Sequence, residues 1–73
     1  MDLKQIKKEV REFLEYDGIE VAPARTGYVI CGYGFEKAKK VIAAMKATRR
    51  FKNVSVTRAL FGAGVISFEV KET

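Results

Sequence analysis

The chemically reactive side chains of this 73-residue chain are few, and none has the partners that catalysis requires. Histidine, the commonest general base near neutral pH, is absent. Cys31 is the single cysteine, so it has neither a second thiol for a disulfide nor a histidine for activation or zinc binding. The carboxylates lie mainly in the first predicted helix, interleaved with lysines, as on a solvated surface. We therefore expect no enzyme activity, no catalytic residue, no metal site and no cofactor.

The clearest pattern is a concentration of basic residues in the second half of the chain. Residues 1–36 carry five basic and seven acidic groups, a balance of −2, whereas residues 37–73 carry nine and two, a balance of +7. This asymmetry favours a polyanionic partner, because basic side chains on phosphates give salt-dependent affinity without sequence preference. The candidate nucleic-acid-binding residues are Lys37, Lys39, Lys40, Lys46, Arg49, Arg50, Lys52 and Arg58, with Tyr33 as a candidate stacking group.

The same cations also have a purely structural interpretation. A lysine-rich surface keeps a protein in solution, and Lys46, Arg49 and Arg50 complement the partial negative charge at the end of a predicted helix. Helical spacing predicts that Lys39, Lys46 and Arg50 project from one side. Both interpretations stay open at the level of sequence.

A short glycine-aromatic segment, Gly32-Tyr33-Gly34-Phe35, has a second functional interpretation. It resembles the core of the RNP1 motif of RNA-recognition domains, although Cys31 stands where the motif has a basic residue and Glu36 where it has valine. The resemblance implies that Tyr33, or Tyr28 on the same strand, stacks on a base at the open face of a sheet. Alternatively, these aromatic residues close the edge of the core.

The order of elements over residues 27–72 resembles that of the Alba family of archaeal chromatin proteins. A strand, a glycine turn and a lysine-rich helix are followed by Arg49-Arg50-Phe51 and a long C-terminal hairpin. The resemblance implies a dimer that holds DNA with hairpin arms and basic patches. It rests on element order alone and assigns no residue as a ligand.

The predicted tip of the second hairpin, residues 58–64, is unusually apolar for a turn because it contains Leu60 and Phe61. If exposed, these side chains would dock a protein partner or wedge between base steps. Alternatively, they fold back over the open end of the core.

Two amphipathic segments predict the helices that position these residues. The first has a stripe of five apolar residues at helical spacing, an Asp2 cap and an Asp17-Gly18 stop. The second runs from about residue 35 to about residue 50. Its buried stripe is predicted to be Ala38, Val41, Ile42 and Met45, and its alanine face Ala43, Ala44 and Ala47.

Four strands are predicted, at residues 19–22, 28–33, 54–57 and 65–70. Pro23 makes the first an edge strand, and the second is apolar on both faces and therefore central. These elements predict one domain made of two αββ halves, at about residues 1–33 and 34–73. We predict an α+β two-layer sandwich, αββαββ, with a four-stranded antiparallel sheet and two helices on one face. If the second strand of each hairpin is central, the arrangement is a permuted ferredoxin-like one.

Three functional hypotheses follow from these features. The first is a small nucleic-acid-binding module, expected to be a homodimer, whose ligand is either DNA or RNA. The second is a protein-interaction module or inhibitor, of viral or accessory type, that docks through Leu60, Phe61 and the alanine face onto an acidic protein surface. The third is a structural homodimer paired through the open sheet face. A lone cysteine and the lack of any apolar run of about 18 residues predict a cytoplasmic protein with no membrane partner.

Overall fold

The computed structural model describes residues 2–71, whose elements follow the predicted order. The helices are α1 (Leu3–Glu9) and α2 (Phe35–Thr48), the strands are β1 (Glu20–Pro23), β2 (Tyr28–Gly34), β3 (Phe51–Arg58) and β4 (Ala63–Val70), and two 3-10 segments span Arg11–Phe13 and Leu60–Gly62. The antiparallel sheet has the order β1-β2-β4-β3. This confirms the two-layer α+β sandwich, with β1 at an edge and the second strand of each hairpin in the centre.

One apolar core lies between the sheet and the two helices. We call α1 and the residues after it, up to Glu15, the α1 segment. Its Ile6 and Val10 join Ile30, Ile66 and Phe68 from the central strands in a single buried cluster. The α2 stripe also behaves as predicted: its buried members are Ala38, Val41 and Met45, and Ile42 packs against them half-buried. Within residues 2–71, neither helix is long and apolar enough to cross a membrane.

The first helix is shorter than the sequence predicts. Asp2 caps its start as expected, because its carboxylate accepts the Gln5 N–H at 2.9 Å. The helix ends at Glu9, however, and a 3-10 turn follows, so the prediction that it continues to Asp17-Gly18 is wrong. Tyr33 explains the change: its hydroxyl donates to the Phe13 carbonyl and accepts the Glu15 N–H at 3.3 Å. A side chain from β2 thus satisfies backbone groups that a longer helix would have paired internally.

A bulge in β2 sets the direction in which Tyr33 points. Ile30 is paired with Ile66 and Tyr33 with Gly64, so three steps along β2 match two along β4. Gly32 lies in the bulge with φ 117°, a backbone conformation that side chains other than glycine rarely adopt. The extra residue turns Tyr33 to the core side of the sheet, together with Ile30.

We expect Tyr33→Phe to lower the free energy of unfolding by about 1–3 kcal/mol, because it keeps the buried ring and removes the hydroxyl group. The Phe13 carbonyl and Glu15 N–H would both lose their partner. Equilibrium unfolding in urea measures the change.

Tyr16→Phe is the matched control, since the Tyr16 hydroxyl donates to the Gly32 carbonyl from an exposed position. Its effect should stay within about 0.5 kcal/mol. Equal losses for the two variants would contradict a special role for Tyr33.

Candidate nucleic-acid interface

Two of the candidate cations are neutralised by glutamates of the α1 segment. Lys37 Nζ lies 3.1 Å from a Glu15 carboxylate oxygen. Arg50 pairs with Glu12, and its guanidinium lies 3.9 Å from the Glu9 carboxylate. Arg50 therefore projects toward α1, and the prediction that it shares one side with Lys39 and Lys46 is wrong. These exposed pairs contribute little to stability, but they remove positive charge from this side of α2.

Lys40 also faces this acidic segment. It lines an open groove of about 300 Å³ between the first 3-10 segment and α2, together with Glu12 and Glu15. A phosphate that approached Lys40 here would meet two carboxylates as well. This groove is thus a poor anion site.

Lys52 lies on a different surface, the open face of the sheet. It stands opposite Glu69 in the β3–β4 register, and the neighbouring Asn53 amide donates to the Glu69 carboxylate at 2.5 Å. The structure does not bring Lys52 together with the α2 lysines.

The remaining candidates are Lys39, Lys46, Arg49 and Arg58, which we call together the basic row. Lys39 and Lys46 are seven residues apart in α2, two helical turns, and so project from the same side. Arg49 follows the helix end, and Arg58 is the last residue of β3. Lys39 lies 3.2 Å from Glu36, whereas the other three form no ion pair within the described part of the chain.

The Phe35 ring joins the two members of the basic row nearest the second hairpin. The Arg58 guanidinium carbon lies 4.4 Å from the ring centroid, and Lys39 Nζ lies 5.2 Å from it. Stacking on an aromatic ring orients a cation without neutralising it. Sequence reasoning missed this role of Phe35, since only the β3–β4 pairing brings Arg58 to the start of α2.

Tyr33 is not available as a stacking group, and that prediction is wrong. Its side chain is 2% exposed and points to the core because of the Gly32 bulge. Tyr28 also lies on the core side, with its ring 6.0 Å from that of Phe68. In the described part of the chain, the opposite face of the sheet is lined by small, aliphatic and polar residues, including Val29, and holds no RNP1-type stacking platform.

The second hairpin tip is exposed, which excludes the interpretation that it folds back over the core. Leu60 is 82% exposed and Phe61 fully exposed. The Ala59 N–H donates to the Ala63 carbonyl at 2.7 Å, which closes the turn beneath these two side chains. Arg58 thus stands at the base of a projecting apolar tip.

Comparison with known proteins does not assign this surface: no family model, curated protein or solved structure matches the chain. Among residues 2–71, no cluster of three or more histidine, cysteine, aspartate or glutamate side chains could hold a metal ion.

Variants of Arg49, the residue that follows α2, test whether its backbone strain or its charge has the larger effect on the stability of the fold. Its backbone is left-handed, with φ 59° and ψ 13°, at a position that favours glycine. We expect Arg49→Gly to raise the free energy of unfolding by about 0.5–1 kcal/mol, which thermal unfolding would show as a rise of roughly 2–8 °C.

Arg49→Ala removes the same charge but keeps the Cβ atom, so it should not stabilise the fold. A gain of equal size in both variants would mean that charge repulsion, and not backbone strain, is relieved.

Proposed function

We propose that this protein binds nucleic acid through the phosphate backbone, with the basic row as its contact surface. The observation that carries the proposal is the segregation of charge about α2. Glutamates pair with Lys37 and Arg50 on the side of α1, while Lys46, Arg49 and Arg58 form no ion pair within residues 2–71. Within residues 2–71, Lys39 is the one member of the basic row with a carboxylate neighbour, Glu36. Cations that have no such neighbour attract a polyanion at long range and release its counterions on contact.

The arrangement favours contacts to phosphates over the reading of bases. Lys39 and Lys46 are separated by about 10 Å along the helix axis, and both end in flexible ammonium groups that act as point charges. Within residues 2–71, the open sheet face offers no aromatic platform. We therefore infer binding with little sequence preference, to DNA or RNA.

A reducing compartment such as the cytoplasm belongs to the same proposal. Cys31 is a free thiol that lies half-buried on the open sheet face. Such a thiol persists more readily where disulfide formation is not favoured.

The exposed hairpin tip supports a second candidate, a protein-interaction module that docks onto an acidic surface. Leu60 and Phe61 would act as anchors, and Ala43, Ala44 and Ala47 are also exposed on α2. This candidate requires no affinity for oligonucleotides, so an oligonucleotide titration separates it from nucleic-acid binding.

We expect the protein to bind labelled duplex and single-stranded oligonucleotides at about 50 mM salt and to lose affinity steeply at about 200 mM. Replacing Lys39 and Lys46 together by glutamine should weaken duplex binding and lower the slope of log affinity against log salt by about two. Fluorescence anisotropy over a series of salt concentrations measures both quantities.

The matched control replaces Lys4 and Lys7, two exposed lysines of α1, by glutamine. It removes the same charge from another helix, so its salt slope should stay close to that of the wild type. Equal slopes for the two double variants would exclude the basic row as the contact surface. No binding by the wild type at the lower salt would overturn the nucleic-acid proposal and favour the protein-partner candidate.

A further inference from the structure

The tip of the second hairpin holds Phe61 outward by its backbone conformation. Phe61 has φ 61° and ψ 26°, and the next residue, Gly62, has φ 76°. Two consecutive left-handed residues direct the chain sharply back into β4. The Phe61 ring is left fully exposed beside Leu60.

The stability of the fold does not explain why Leu60 and Phe61 stand at the tip. An exposed leucine and phenylalanine gain none of the stabilisation that burial would bring. A left-handed conformation is also costly for phenylalanine, whereas asparagine or glycine adopts it readily. Asn53, in the same left-handed region with φ 54°, shows the residue type that such a position favours. A strained, exposed aromatic residue is a reason to look for a ligand.

The cations around the tip favour a ligand that is a polyanion and has an apolar interior. Arg58 stands at its base and forms no ion pair within residues 2–71. Lys39 shares the Phe35 ring with Arg58 and lies 3.2 Å from Glu36, and the sequence has no acidic residue between Lys37 and Phe68. The apolar area is small for a protein interface, which buries about 800 Å² on each partner. Two apolar side chains between cations are sufficient for a wedge, which inserts leucine or phenylalanine between stacked bases.

We propose that Leu60 and Phe61 form an apolar wedge that enters a base step of a nucleic-acid duplex, while Arg58 and Lys39 contact the phosphates beside that step. The inference rests on the proposed nucleic-acid binding and specifies its substrate as a duplex that the protein kinks. Proteins that insert such wedges bend the duplex by about 20–90°.

The first measurement is the end-to-end distance of a duplex of about 20 base pairs, labelled with a donor and an acceptor dye at its ends. Energy transfer should rise when the wild type binds. The variant with Phe61→Asn and Leu60→Asn removes the wedge and keeps a residue that tolerates the left-handed backbone at position 61. It should bind with an unchanged salt slope and leave the energy transfer at its value for free duplex.

The second measurement compares a fully paired duplex with one that carries a central mismatch, where unstacking costs less. The wild type should prefer the mismatched duplex by about fivefold or more, and the tip variant should show no preference. Thermal unfolding of the variant checks that its fold is retained.

The outcomes separate this inference from the proposal on which it rests. Salt-dependent binding without a change in energy transfer or a preference for the mismatch would overturn the wedge and leave phosphate binding intact. Bending by the tip variant to the same extent as by the wild type would also overturn it. No binding of either duplex at about 50 mM salt would overturn both.

Discussion

The hydroxyl of Tyr33 is the contact on which the arrangement of charges depends. It bonds to the Phe13 carbonyl and the Glu15 N–H, and so ties the segment after α1 to the central strand β2. These two bonds pair backbone groups that a longer first helix would have paired internally, and they hold the following turn against the central strand. Glu12 and Glu15 then lie within reach of Arg50 and Lys37. A single buried polar group, fully paired in a small core, thereby helps to hold these glutamates on the side of α2 where Lys37 and Arg50 lie.

This division of charge changes how the net charge of +5 should be understood. The excess in the second half of the chain is not spread evenly over α2, because the acidic first segment folds back along one side of it. What remains is a narrower surface formed by the basic row and bounded by the hairpin tip. Long-range attraction of a polyanion would depend on the whole excess, whereas the proposed contact surface consists of these few side chains.

The fold could be predicted from local signals, but the candidate site could be predicted only in part. Helical periodicity in α2, the Pro23 edge and the hairpin turns are encoded by neighbouring residues, and they were enough to give the two-layer sandwich. The direction of Tyr33 depends on a bulge that forms only when β2 pairs with β4. Likewise, the neutralisation of Lys37 and Arg50 depends on glutamates more than 20 residues away in sequence, which no local pattern reveals.

Backbone strain and the proposed contact surface coincide in this molecule. Within residues 2–71, three residues other than glycine have a positive φ: Arg49, Asn53 and Phe61. Asparagine is suited to that conformation, whereas arginine and phenylalanine are not. Arg49 belongs to the basic row, and Phe61 is the apex of the hairpin tip. A sequence selected for stability alone would favour glycine or asparagine at both positions. Retaining a cation and an aromatic ring there is the pattern expected where function is selected at a cost in stability.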